Sequence, residues 1–338
     1  MSGQLIKPAL AFLIGVSCLF SPNSLKAQCC STGSPVGASV YVGVLGKNYL
    51  RAITYFRHSY SDTYYQDDHK SAENSLLYNS SFNYTGISVG YGITKRLTLE
   101  ADAGYYFDKT QNGHYRLHDS TVNFQTRGNG LSNGTITVKY GDYIKPSQQI
   151  EITSGLALRF PFSTNPQMKE GVQLNRDVQP STNAFGISEM IFFSKGFQQI
   201  TLRIFSINRY DYNFADRQKY KYGNILLNSV FVSKKIFKYC FGIVQIRNEW
   251  KTNDKDMSLP GLNGDHKVTD SGYDLVTVCP QLSYSIAGKW NLTALYDIPV
   301  YKKYNGKQMT PAWSFALSLT RDFNLGKKLP EIKTEKIN

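Results

Sequence analysis

The sequence predicts an all-β chain: a transmembrane up-and-down antiparallel β-barrel of about twelve strands. Three observations predict it. Apolar and polar residues alternate with period two through most of the 338 residues, the signature of a sheet with one apolar and one polar face. Short turns and long polar connections take turns along the chain, which is the asymmetry of a barrel with short periplasmic turns and long extracellular loops. Aromatic residues make up 14% of the chain, with 24 Tyr and 19 Phe against 3 Trp, a supply suited to interfacial girdles. A mean hydropathy of −0.35 does not oppose this reading, because alternation averages the apolar signal away.

Residues 1–27 read as a signal peptide. Lys7 supplies the positive start, Ala9–Phe20 the apolar run, and Ser21–Ala27 a polar stretch ending on a small residue. Cleavage is expected between Ala27 and Gln28, since an apolar run of about a dozen residues is too short for a membrane helix. Lipidation at Cys18 is the alternative: Ser17 suits a lipobox, but Gly15 stands where Leu is wanted. Export together with a barrel places the mature chain in the outer membrane of a Gram-negative bacterium.

Residues 28–48 form an N-terminal arm or plug. Within it, Val40–Leu45 is short, apolar and interrupted by Gly43 and Gly46, and reads as an inward plug or a periplasmic lead-in. Cys29 and Cys30 are adjacent in this arm. They suit a soft-metal or redox pair, or simply a disulfide; no neighbouring His or third Cys completes a zinc set. Cys240 and Cys279 fall inside strands as small apolar fillers.

The barrel is expected over residues 49–323. Strand Leu50–Tyr60 is followed by a polar, Tyr-rich loop, Ser61–Asn83. The hairpin Ile87–Phe107 turns at Thr94-Lys95-Arg96. Ile87, Val89, Tyr91 and Ile93 share one face, and Ser88, Gly90 and Gly92 the other; Leu97, Leu99 and Ala101 alternate with Thr98, Glu100 and Asp102. The charges therefore lie with the glycines, on the face that a membrane barrel turns to its lumen. A long loop, Asp108–Asn133, leads to strands Thr135–Tyr143 and Ile150–Phe160 around Pro146. Loop Pro161–Asn183 precedes Ala184–Phe193 and Gln199–Tyr210, which turn at Lys195-Gly196. Lys221–Ser233 and Tyr239–Lys251 pair around Lys234-Lys235. Loop Thr252–Gly272 precedes Tyr273–Ile286 and Leu292–Val300, which turn at Gly288-Lys289. Ala312–Phe323 ends the barrel, and 324–338 is a polar tail. No helical pattern separates the strands, which excludes an α/β fold. Two positions resist the pattern. Glu189 shares a face with Phe185, Ile187 and Ile191, so a bulge or slipped register is expected there. Pro280 removes a ladder bond inside a strand.

The hairpin ISVGYGITKRLTLEADAGYYF resembles the YG-ϕ-T-x-R-ϕ-x-ϕ hairpin of the outer-membrane barrel family named for the MetA pathway of phenol degradation. GNGLSNGTITVKYGDY is similar to that family's G-x-G-ϕ-G-D-ϕ-x-ϕ-x-ϕ-K-Y segment. Gly128, Gly130, Leu131, Lys139 and Tyr140 match, while Ser132 and Asn133 replace the usual Gly-Asp. SGLALRFPFSTN resembles its G-ϕ-x-ϕ-x-ϕ-P-x-G stretch, with Pro161 kept and the second Gly lost. The resemblance spans Ile87–Asn165. It implies an outer-membrane barrel that passes small, partly apolar molecules, and it brings no catalytic residues.

The formal net charge is +13. The basic residues are scattered singly and carry no recognition motif, which argues against nucleic acid. The lumen face is expected to carry Glu100, Asp102, Lys139, Glu151, Arg159, Arg203, Arg247, Glu249 and Asp297. Charges of both signs across a pore tune its selectivity; the same residues also suit internal ion pairs filling a narrow barrel. In the first reading Arg159, Arg203 and Arg247 attract anionic cargo. His114, His118 and Asp119, and the run Asp67-Asp68-His69, read as solvated loops. No enzyme motif, metal set or cofactor fingerprint occurs, so neither enzymatic activity nor a cofactor is expected. The expected function is porin-like passage of small, aromatic or anionic molecules. The alternative is a closed barrel serving as anchor or receptor, whose arm or loops bind a partner or metal. The expected partners are outer-membrane lipid, small-molecule cargo and the barrel-insertion machinery, around a monomer.

Overall fold

The computed structural model describes residues 43–71, 76–117, 120–258, 266–286 and 290–326. The signal peptide, Cys18, Cys29, Cys30, His118, Asp119, the Gly288-Lys289 turn and all but the first residues of the tail lie outside this set.

The strands are β1 (Tyr49–Asp67), β2 (His69–Lys70), β3 (Leu77–Gly92), β4 (Leu97–Leu117), β5 (Ser120–Leu131), β6 (Asn133–Lys145), β7 (Ile150–Pro161), β8 (Met168–Lys169), β9 (Val172–Gln173), β10 (Gly186–Phe197), β11 (Leu202–Asn213), β12 (Tyr220–Lys221), β13 (Ile225–Phe237), β14 (Cys240–Lys251), β15 (Lys255–Asp256), β16 (Tyr273–Ile286) and β17 (Trp290–Asn324). Thirteen of them form one sheet, in which β17 pairs with β1. Outside that ring, β2 pairs only with β1 and β5 only with β4. The remaining eleven make a closed antiparallel barrel. Closure leaves the ring without a free edge.

β17 is folded back on itself. Trp290–Tyr304 pairs with β16, while 307–324 pairs with β1. Gly306 turns the chain at φ +79, and Lys302 Nζ donates to Thr310 Oγ1 at 3.1 Å across the two legs. Counted by legs, the wall is crossed twelve times, which agrees with the strand number expected from the sequence.

Alternation sets an inside-out arrangement. Ile87, Val89, Leu99, Ile136, Val138, Leu156, Ile191, Val230, Val244, Ile246, Leu282 and Leu317 are exposed on the outer face. Residues of the alternate parity, among them Ser88, Thr98, Thr137, Lys139, Thr153, Ser229, Gln245, Gln281, Ser318 and Thr320, are buried on the inner one. Exposed rings border this apolar band at both rims. Tyr91, Tyr140, Phe197, Tyr239 and Tyr284 lie towards the short turns, and Phe107, Phe162, Tyr210, Tyr212 and Trp250 towards the long connections. An apolar outer band between two aromatic girdles is what a bilayer requires of a closed sheet.

The short turns use backbone geometry that their residues tolerate. Thr94 Oγ1 accepts the Arg96 and Leu97 amides at 3.1 and 3.0 Å. Two other turns repeat one device: a single 3-10 turn, Pro146–Gln148 or Gln198–Ile200, followed by a left-handed residue, Gln149 (φ 51) or Thr201 (φ 50).

Several expected boundaries are corrected. The loop assigned to Asp108–Asn133 is largely strand: β4 runs on to Leu117 and pairs with β5. Its Thr, Asn, Gln and Gly alternation carries no apolar face, yet the two strands satisfy each other's backbone groups above the barrel wall. The turn expected at Lys195-Gly196 lies at 198–201, and that expected at Lys234-Lys235 lies after Phe237. The bulge expected at Glu189 is absent. β10 keeps unbroken register with β7 and β11, and Glu189 faces outward opposite Leu156 and Tyr210, level with a girdle residue. Pro280 points outward. It pairs with Val244, but the ladder to β17 skips Cys279 and Pro280 without a change of register. His114 is in β4, stacked on Tyr78 at 5.9 Å, rather than in a loop. His69 is in β2, where it pairs with Asp68.

Candidate functional site: the barrel interior

The nine charged positions singled out in the sequence all fall on the inward-facing parity of their strands. Lys139 Nζ lies 2.6 Å from Glu100 Oε2, and Asp102 faces Ser88 in the β3–β4 register. Glu151 lies near the short-turn end, with Arg203 at 3.9 Å. Arg203 Nε donates to Ser194 Oγ at 2.7 Å. Arg159 donates to Asn213 Oδ1. Glu249 accepts from the Tyr273 hydroxyl.

Asp297 gathers the densest group. Arg57 Nη2 lies 2.6 Å from Oδ2 and Arg247 Nη2 3.3 Å from Oδ1. Ser314 Oγ donates to Oδ2 at 2.6 Å, and Cys279 Sγ to Oδ1 at 2.8 Å. Cys279 is therefore a donor in a polar cluster rather than an apolar filler. Arg57 was not singled out in the sequence because its inward neighbours, Ile53 and Tyr55, are apolar. Asp211, paired with Arg209 at 2.9 Å, was missed because the strand runs to Asn213, three residues beyond its expected end; Arg209 lies inside the expected strand and was not singled out.

Two apolar patches share the interior with these charges. Met190, Phe192, Phe205, Ile207, Phe231 and Ile243 form one, with the Phe205 and Phe231 rings stacked at 4.4 Å. Ile53, Tyr55, Phe82, Tyr84 and Tyr106 form the other, and its Tyr84 and Tyr106 rings lie 4.7 Å apart.

Chain segments enter the barrel at both ends. At the short-turn end, Val44 N donates to Glu151 Oε1 and Leu45 N to Thr98 Oγ1, both at 2.8 Å. Leu45 is buried. At the other end, the connection between β7 and β10 folds onto β4 and β5 through the 3-10 turn Arg176–Val178. Val178 is fully buried, and a Cβ on Gly128 would overlap its carbonyl. Lys109 Nζ donates to Gln179 O at 2.8 Å. Arg176 bonds Asp216 at 2.7 Å and lies 3.8 Å from the Tyr220 ring centroid. Tyr220 in turn donates to Asp254 at 2.7 Å.

Burial dominates the electrostatics of this upper cluster. It pushes the Asp177 carboxyl up to about 7; the Asp254 carboxylate adds to the shift, while Lys109, Lys251 and the Gln111 amide oppose it. Burial and Asp254 raise the Tyr220 and Tyr222 hydroxyls. For Arg176 burial acts to lower the pKa, but Asp216 and Tyr222 outweigh it and hold the guanidinium above its ordinary value. Among the described residues, no group of three or more His, Cys, Asp or Glu side chains is placed to hold a metal ion.

No family model matches the sequence, and neither does any curated protein. Among solved structures, the fold is similar to an outer membrane channel from Pseudomonas putida F1. The two share 12% identity at a TM-score of 0.64, over 84% of this chain and 99% of that one. The KdgM porin in complex with disordered oligogalacturonate (TM-score 0.43, 8% identity, 80% and 99% covered) and the NanC porin (TM-score 0.43, 12% identity, 80% and 98% covered) are more distant. The chain has the barrel fold of an outer-membrane protein.

Proposed function

We propose that this chain is an outer-membrane barrel that passes small molecules, aromatic or anionic in character, across the outer membrane of a Gram-negative bacterium. One observation carries the reading: a closed sheet exposes an apolar band outward and turns its charged and hydroxyl side chains inward. Only a bilayer makes that arrangement favourable, because the outer face gains from lipid what a soluble protein gains from a core. Guanidinium and carboxylate groups beside two aromatic patches suit a solute with one polar end and one apolar end. The mature chain begins after cleavage near Ala27, acts as a monomer and binds no cofactor. Planar-bilayer conductance of the purified mature chain tests the reading, with a variant lacking residues 28–47 alongside. Discrete conductance is expected; impermeability of both proteins to ions and small solutes rejects transport.

A second reading is a closed barrel acting as anchor or receptor. Full burial of Thr98, Thr153, Phe192 and Phe205 on the inner face favours it. In this reading Cys29 and Cys30 or the long connections hold a partner, and replacing both cysteines by Ser abolishes that association.

A further inference from the structure

Five of the arginines on the inward parity lie within 4.0 Å of a carboxylate: Arg51 with Asp322, Arg57 and Arg247 with Asp297, Arg203 with Glu151, and Arg209 with Asp211. Arg159 has no such partner among the described residues. Its Nη2 donates to Asn213 Oδ1, and its buried Nε has no acceptor. Asp211 acts on this guanidinium only from beyond contact distance. A buried guanidinium with no carboxylate in contact is costly to hold, and its Nε is one of six buried side-chain atoms without a hydrogen-bond partner among the described residues.

The surroundings are built to keep that side chain in place. Gly186 is its register partner on β10, and a Cβ there would collide with the guanidinium. Asn213 is oriented by two bonds of its own: Nδ2 donates to Gly223 O at 2.6 Å, and its amide donates to Asn224 Oδ1 at 3.2 Å. Arg159 is thus held through Nη2, and the hydrogen of the adjacent Nε, on the same edge, has no acceptor. Asp211 stands on the same face, two residues before Asn213, and is engaged by Arg209. Asp102 lies level with Arg159 across Thr135, so Arg159 and Arg209 share this wall with two carboxylates, Asp102 and Asp211, neither of which contacts Arg159. Deeper on the same wall lies Met190, opposite Gly155 of the Arg159 strand and Arg209 of β11. It begins the apolar patch that runs through Phe192, Phe205 and Phe231.

We infer that Arg159, seated on Gly186 and braced by Asn213, forms a subsite for the carboxylate of a small monocarboxylate whose aromatic or apolar body rests against Met190 and the phenylalanine patch. This inference rests on the channel reading only for the route by which such a molecule arrives. The probe is benzoate, titrated calorimetrically into the detergent-solubilised mature chain, with acetate and benzyl alcohol as probes of each half alone. Benzoate is expected to bind about tenfold or more tightly than either, since the charge-assisted bond and the apolar contact act together. R159Q should erase the preference over benzyl alcohol. G186A, which keeps the arginine but displaces its guanidinium, should weaken it. Heat-modifiable gel migration establishes that each variant folds.

Equal binding of benzoate and benzyl alcohol, or an unchanged preference in a folded variant, overturns the subsite. An impermeable barrel with Arg159-dependent benzoate binding keeps the subsite and discards the channel. A conducting barrel without that preference does the reverse.

Discussion

Arg57 and Asp297 meet at 2.6 Å across the closure seam of the barrel, although 240 residues separate them. The pair reaches over one intervening leg of β17, whose Ser314 bonds both partners, at 3.0 Å from Arg57 and 2.6 Å from Asp297. Asp297 is also the carboxylate for Arg247. Replacing it therefore leaves two buried guanidiniums facing each other. D297A is expected to destabilise the barrel by about 3–5 kcal/mol, measured by denaturant unfolding in lipid vesicles. A loss below about 1 kcal/mol would mean that water solvates this cluster.

Asp177 gives the upper connection a pH dependence. Its carboxyl is raised from 3.8 to about 7 where the connection is seated. The seated form thus holds its proton more tightly than an unseated, solvated one. The stabilisation is fully present below about pH 4 and is lost as pH rises towards 7. Once the intrinsic base catalysis of exchange is divided out, the amides of residues 162–185 should have lower protection factors at pH 8 than at pH 5, and D177N should flatten that difference. Equal protection factors at both pH values in the parent chain would contradict this assignment.

Glu189 stands exposed on the outer face among Ile187, Ile191 and Leu156. It lies near the girdle, where a lipid-facing charge costs little but not nothing. E189L is expected to stabilise the barrel by about 1 kcal/mol in the same vesicle assay. No gain would place the carboxylate in the headgroup layer.

Glu151 ties the entering segment to the wall through the Val44 amide, and Thr153 and Arg203 hold the carboxylate from other sides. E151A should loosen residues 43–47 and raise bilayer conductance several-fold. E151Q, which keeps an acceptor oxygen, should raise it less. Conductance unaffected by either change would show that this segment does not limit flow.

Much of this architecture was legible in one hairpin. Glu100 and Asp102 share a face with Gly90 and Gly92, and that placement already put the charges inside. Period two is insensitive to what lies far away in sequence, so the inward parity of all nine charged positions followed from local pattern alone. The pairing among them did not. Arg57 and Asp297 meet only because the first and last strands are neighbours, and nothing near either residue encodes that. The β4–β5 extension was hidden for a different reason: outside the bilayer neither of its faces needs to be apolar, so the alternation fades while the hydrogen bonding persists. The seating of Val178 and Asp177 was likewise invisible, because it depends on where a long connection lands.

The pairing of β1 with the second leg of β17 also has a consequence for biogenesis. Tyr49 takes Asn324 as its partner and Tyr60 takes Trp313, so one margin of β1, the one not paired with β3, has no mate until the second leg of β17 has been made. Until then two bare sheet margins and a greasy belt face water, a state prone to sticking to other chains. Closure must therefore wait for the second leg of β17, and a copy truncated before Lys307 would leave that margin of β1 with nothing to close against.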